Sequence, residues 1–180
     1  MRRAVILLAV LLTGCNLDSE KRVNLEDFDF KTGDDTEIFF KNVRQYYYDL
    51  EENKEAKLNI FRYEDRVVNA EHPLLNLAIV INYLQDEASL ILEPSNFNSD
   101  SAIRLQFKDN KNSVEKLSLT EFNRMEMLKF ANGIYEALLS KKRVFLEIAP
   151  DKLEPILVDS KEREAFRITV SDYYRLTRLY

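Results

Sequence analysis

The sequence predicts an α+β fold, a mostly antiparallel sheet of about six to eight strands packed on one long helix, with a short C-terminal helix. Three observations carry this. Short apolar segments separated by polar turns fill the first half of the chain beyond residue 36. One 3.6-residue stripe runs from Phe122 to Leu138, and period-two alternation resumes beyond residue 143.

Residues 36–49 fit two periodicities. Ile38, Phe40, Tyr46 and Tyr48 share a strand face, whereas Phe39, Val43, Tyr46, Tyr47 and Leu50 follow helical spacing. The local richness in Phe, Val and Tyr favours strand. A polar turn over 51–55 then makes a hairpin with residues 57–63. His72-Pro73 disfavours helix immediately before the apolar run 74–84. Asp86-Glu87 turns the chain, 89–92 returns, 94–101 is a loop and 102–108 alternates as a further strand. These segments together predict an antiparallel meander.

Ser118 and Glu121 stand at capping-box spacing, so each side chain can satisfy a free backbone donor at a helix start. Phe122, Met125, Leu128, Ala131, Tyr135 and Leu138 form the stripe, widened by Met127, Phe130 and Ile134. Lys141, Lys142 and Arg143 complement the negative helix end. Gly133 inside the helix costs about 1 kcal/mol against Ala and predicts a close backbone contact. Beyond it Val144, Leu146 and Ile148 alternate, 150–155 turns and 156–158 returns. Residues 160–164 read as a charged turn. Phe166, Ile168 and Val170 alternate as a last strand, and Ser171 caps a short helix with Tyr173, Leu176 and Tyr180 packing back.

Ahead of these elements, Arg2 and Arg3 precede an unbroken apolar run over residues 4–12, and Leu12-Thr13-Gly14-Cys15 closes it. This is the charge, apolar core and small-residue cleavage site of a secretory signal. The apolar run is too short for a spanning helix, which needs roughly 20 residues. Its last four residues resemble the lipobox of bacterial lipoproteins. That resemblance implies cleavage before Cys15, a diacylglyceryl thioether on its sulfur and a further acyl chain on its amine. Two or more chains hold a protein stably on a bilayer. Asp18 and Glu20 resemble the acidic signals that send some lipoproteins to the cell surface in Bacteroidetes-type bacteria. The mature part resembles small Bacteroidetes lipoproteins, and no residue role is carried across.

The expected organisation is therefore a signal peptide over 1–14, a lipidated Cys15 with a tether over 15–35, and one globular domain over 36–180. Leu25, Phe28 and Phe30 are apolar enough for the second half of the tether to dock. The chain of 180 residues has net charge −5, which becomes −7 once Arg2 and Arg3 are removed. Nucleic acids and anionic lipid headgroups need clustered Lys and Arg, so this balance argues against both. Cys15 is the single cysteine, so no intramolecular disulfide forms.

Catalytic signatures are sparse. His72 is the one histidine, no nucleophile motif accompanies it, and it reads as a polar loop residue beside Pro73. With one His and one Cys, a protein-built zinc site is not expected. Gly33 and Gly133 are far apart and build no phosphate-cradling loop. Glu26, Asp27 and Asp29; Asp34 and Asp35; Glu51 and Glu52; and Asp86 and Glu87 sit at expected tethers or turns, where solvated acids are the default. No EF-hand spacing surrounds Asp34-Asp35. No cofactor, metal or catalytic residue is expected.

Tyr46-Tyr47-Tyr48 is the most distinctive local feature. On a strand, neighbours face opposite sides, so at least one Tyr is expected exposed and one buried. Exposed aromatics can anchor a partner protein or stack on a sugar ring, and the absence of Trp weakens the sugar reading. Arg44 and Arg62 are expected to flank the triplet. The leading expectation is a membrane-anchored envelope lipoprotein, outer-membrane, periplasmic or surface-facing. It acts without enzymatic activity, by protein–protein interaction, as an accessory or assembly subunit. Glycan or small-ligand binding is the alternative, and a carboxylate-dependent hydrolase comes third.

Overall fold

Among the described residues, eight strands fall into two four-stranded antiparallel sheets. The computed structural model describes residues 23, 25, 26, 28–98, 102–109, 113–150 and 152–179. Cys15, residues 1–14 expected as a signal peptide, and most of the first half of the expected tether lie outside the described residues. The first sheet holds β1 (Tyr48–Asn53), β2 (Leu58–Tyr63), β3 (Leu74–Asn82) and β4 (Glu87–Ser95), paired in chain order as an antiparallel meander, whereas the strand expected to continue it at 102–108 belongs to the second sheet. The second holds β5 (Ile103–Lys108), β6 (Val114–Leu119), β7 (Arg143–Ala149) and β8 (Lys152–Ile156), in the order β6-β5-β7-β8. Helices are α1 (Asp34–Phe39), α2 (Arg124–Leu139) and α3 (Ser160–Leu176).

The sheets form where alternation supplies one apolar face. In β3, Leu75, Leu77, Ile79 and Ile81 all point to the core, and Phe61, Ala88 and Leu90 join them from β2 and β4. In the second sheet Ile103, Leu105, Phe107, Val144 and Leu146 do the same. Helix α2 packs on β4 of the first sheet and on β6 and β7 of the second through Leu128, Phe130, Ala131, Ile134, Tyr135 and Leu138. Gly133 does make a close contact: a Cβ there would lie 2.8 Å from Leu117 Cδ2 of β6. Phe122, expected to begin the stripe, lies before the helix and is exposed.

The turns expected over 51–55 and 150–155 are strand at 51–53 and 152–155, and three further segments depart from the sequence expectation. Residues 36–47 are helical rather than strand: α1 runs into a π turn (Phe40–Arg44) and a 3-10 turn (Gln45–Tyr47), and β1 begins only at Tyr48. The helical path buries Phe40 with its ring centroid 5.6 Å from Tyr48 and 5.1 Å from Phe61. The Thr36 hydroxyl donates to the Leu176 carbonyl at 2.7 Å, fixing α1 to the end of α3. Tertiary packing thus overrides the β propensity of Phe, Val and Tyr.

The second departure concerns Ser118 and Glu121, which form no capping box. Ser118 lies in β6, where Leu117 and Leu119 pair with Leu105 and Ile103. Asn123 caps α2 instead, its side-chain oxygen accepting from the Glu126 amide at 2.9 Å. The third is the strand expected at Phe166–Val170. The C-terminal helix is present but starts at Ser160, capped by Asp159, and absorbs that segment. Phe166, Val170 and Tyr173 also satisfy helical spacing, and all three are buried.

The second half of the tether docks. Phe30 is buried, Phe28 packs on it at 4.7 Å and on Tyr173 at 6.2 Å, and the Arg124 guanidinium lies 4.2 Å over the Phe30 ring. Lys31 bridges to Glu87 at the start of β4, and the Thr32 amide donates to the Asp86 carbonyl at 2.9 Å.

Candidate interaction site

The tyrosine triplet divides as its distinctive pattern suggests, but because the chain changes from helix to strand within it. Tyr48, first residue of β1, points inward, while Tyr46 is 86% exposed and Tyr47 is half exposed at the end of the helical segment. Their rings meet edge to face at 5.8 Å. Ile38, at 60% exposure, and the exposed side chains of Val43 and Leu50 lie on the same stretch of chain. Beside them β1 is an edge strand, and no strand among the described residues pairs with its outer side.

A buried polar knot holds this surface. Asp172 of α3, only 4% exposed, receives Arg44 Nε on Oδ1 at 2.8 Å and Arg44 Nη2 on Oδ2 at 2.8 Å. The Tyr48 hydroxyl donates to the same Oδ2 at 2.7 Å. The other face of the Arg44 guanidinium sits 4.9 Å over the Tyr47 ring. Desolvation works against the Arg44 charge, but the hydrogen bonds and the negative charge of Asp172 outweigh it and raise its pKa. Burial, reinforced by Asp172, pushes the Tyr48 phenol well above its ordinary range, so it stays a donor. The result is a fixed fork: α3 sets Asp172, Asp172 sets Arg44, and Arg44 sets Tyr47.

Arg44 therefore does flank the triplet, from a helical turn. Arg62 does not: it is bound by Glu51 and Glu93, each at 2.7 Å, on β1, β2 and β4. No local signal in the sequence marks Asp172, which lies 128 residues from Arg44.

The expected polar residues find separate places. His72 Nε2 contacts Glu162 Oε1 at 2.8 Å, and the other Glu162 oxygen accepts from the Val158 amide at 2.9 Å. Glu162 is thus a buried acid used to join a loop to the start of α3. Glu87 pairs with Lys31 and Arg124, whose contacts hold its carboxyl below the usual range against partial desolvation. Asp34 and Asp35 begin α1, and Arg178 pairs with Asp35. Glu52 stands 3.6 Å from Lys54. Asp86 is exposed in the β3–β4 turn, and Asp29 is exposed in the tether. Glu26 lines an open groove with Val23, Leu25, Met125, Lys129 and Asn132. Asp27 lies outside the described residues. Among the described residues no three His, Cys, Asp or Glu side chains are grouped to hold a metal ion, and no helix is long and apolar enough to cross a membrane.

A scan against protein-family models, a search of curated proteins and a search of solved structures each found no match for the chain.

Proposed function

We propose that the chain is an envelope lipoprotein, held by acyl groups on Cys15, whose domain binds another envelope protein as an accessory or assembly subunit and carries no catalytic activity. The observation that supports this is the exposure of Ile38, Val43, Tyr46, Tyr47 and Leu50 on the stretch of chain that runs into the edge strand β1. Aromatic side chains fixed before binding lose little conformational freedom on contact, and Tyr is enriched among residues that dominate interface energy. Tyr47 is fixed in that sense by Arg44 and Asp172, and Tyr46 rests against Tyr47. The partner is accordingly a protein with an apolar, aromatic-accepting surface. The outer edge of β1 offers backbone donors and acceptors to a strand of that partner.

The test is capture of the tagged, acylated protein from its native envelope after mild cross-linking. An unrelated lipoprotein with the same anchor is the control. One near-stoichiometric partner, lost in Tyr46→Ser/Tyr47→Ser with the fold intact, is the expected result. Two such hot-spot tyrosines are worth about 2 kcal/mol each, about 4 kcal/mol together, so binding should fall about seven-hundred-fold. Equal capture by wild type and double variant refutes the surface. An intact mass showing unmodified Cys15 in the mature chain refutes the anchor.

A further inference from the structure

We infer that the outer face of the second sheet is a docking surface for anionic phospholipid headgroups, laying the domain against the membrane. The inference rests on the reading of Cys15 as a lipid anchor. Strand register assigns the face. Arg104, Gln106 and Lys108 of β5 alternate outward from the buried Ile103, Leu105 and Phe107. Lys108 stands opposite Arg143 of β7, Gln106 opposite Lys116 of β6 and Phe145 of β7, and Phe145 opposite Pro155 of β8. Four cations thus share one face, from three strands, and Glu147 is the one acid in register with them among the described residues.

Arg44, Arg62, Arg66, Arg124 and Lys142 are each bound to a carboxylate, whereas Arg104, Lys108, Lys116 and Arg143, like Lys57, Lys141, Lys161, Arg163 and Arg167, form no ion pair among the described residues; the four are set apart by sharing one sheet face. The chain has more acids than bases, so partners were not scarce. Lys108 and Arg143 are moreover directly opposed like charges, an arrangement that destabilises a strand pair. What lies between them is the half-buried Phe145 ring, 4.8 Å from Lys108 Nζ and 5.8 Å from Arg143 Cζ. Cation–π contact orders the two charges without neutralising them. An external anion is the missing counter-charge.

The shape selects the source. The cations are spread over a strand surface instead of converging into a pocket, and Phe145 of β7 with Leu153 and Pro155 of the edge strand β8 adds apolar area beside them. Distributed charge beside apolar side chains fits a plane of phosphates. The connection also reaches. Val23 packs against the core near α2, and eight residues of chain from there to Cys15 span at most about 28 Å. That exceeds the roughly 20 Å of one helix layer and one sheet layer. Anchoring keeps the local lipid concentration high, so four cations suffice on a domain whose net charge is negative.

The experiment reconstitutes the full protein, as isolated from its membrane, into vesicles of phosphatidylcholine alone or with one third phosphatidylglycerol. Retention on neutral vesicles in 1 M salt reads the anchor by itself. Amine labelling with mass spectrometry then reads Lys108 and Lys116, with Lys54 and Lys161 as references. Labelling of Lys108 and Lys116 should fall about five-fold on the anionic vesicles. The protection should vanish in 1 M salt, where the Debye length is about 3 Å. Arg104→Gln/Arg143→Gln should reduce it below about two-fold, and Lys54→Gln/Lys57→Gln should leave it unchanged. Equal labelling on both vesicles by a protein that stays anchored overturns the inference. So does protection found only on native membranes and removed by protease shaving, which assigns the face to an acidic protein. Loss of the protein from neutral vesicles in high salt refutes the anchor instead. In that case sedimentation at low salt reads the face: preference for anionic vesicles sustains it and indifference overturns it.

Discussion

Asp172→Ala should be the most costly single polar substitution in the domain, and its magnitude follows from what is left behind. The change removes the acceptor of the Tyr48 hydroxyl and both acceptors of the Arg44 guanidinium. Tyr48 is buried, so a hydroxyl without an acceptor costs about 1–3 kcal/mol. Arg44 keeps about a fifth of its side chain in water and can recover part of its solvation. Its loss therefore falls near the low end for a charge-assisted bond, about 1.5 kcal/mol. The sum is about 3 kcal/mol, within the range for breaking a buried pair. For a domain of this size that is a fall in Tm of about 6–12 °C. Urea unfolding followed by circular dichroism gives the same quantity independently. Replacing the whole knot by apolar groups, Arg44→Met/Tyr48→Phe/Asp172→Leu, should restore more than half of the loss, because no buried polar atom is then stranded. The reasoning is refuted if Asp172→Ala stays within about 0.5 kcal/mol of wild type, or if the triple variant is less stable than the single one.

The remaining predictions concern titration and packing. Tyr48 and Tyr173 both have phenols raised above 10.0 by burial. Below pH 10 both states hold these protons and stability is indifferent to them. As pH climbs further, only the unfolded chain releases them, so stability declines, and Tyr48→Phe should lessen that decline. Absorbance titration at alkaline pH should show both phenols ionising only with unfolding, and their ionisation in the folded state would contradict their burial. Gly133→Ala should change stability by less than about 1 kcal/mol, since helix propensity gained is set against displacement of the Leu117 side chain. Gly133→Leu has no such room and should cost about 2 kcal/mol, read by the same urea midpoint.

Much of the architecture was legible in the sequence because its signals are local. Alternation and turn residues located β2, β3 and β4, since a period of two can bury only one face, whereas β1 lies at 48–53, where most of the expected turn over 51–55 was placed. The stripe from Met125 to Leu138 specifies α2 for the corresponding reason at period 3.6. Apolar spacing also indicated that Phe28 and Phe30 dock, and the glycine inside a helix marked the approach of Leu117 to Gly133. Where two periods fit the same residues, at 36–47 and 166–170, propensity and alternation favoured strand and the structure is helical. Contacts with distant residues chose: Phe40 with Phe61 in one case, and burial of Phe166, Val170 and Tyr173 along α3 in the other.

The sequence by itself determined the two local periodicities and hence the α+β class, because each depends on neighbours a few residues apart. Tertiary structure alone decided which charges matter. It brought Asp172 to Arg44 and Tyr48 across more than a hundred residues, and so fixed Tyr47 at the surface. It also gathered Arg104, Lys108, Lys116 and Arg143 onto one face of an acidic protein, where composition had predicted no basic cluster. The physical reason is the same in both cases. Net charge and composition are sums over the chain, whereas a field depends on distance, and distances between strands and helices exist only after folding.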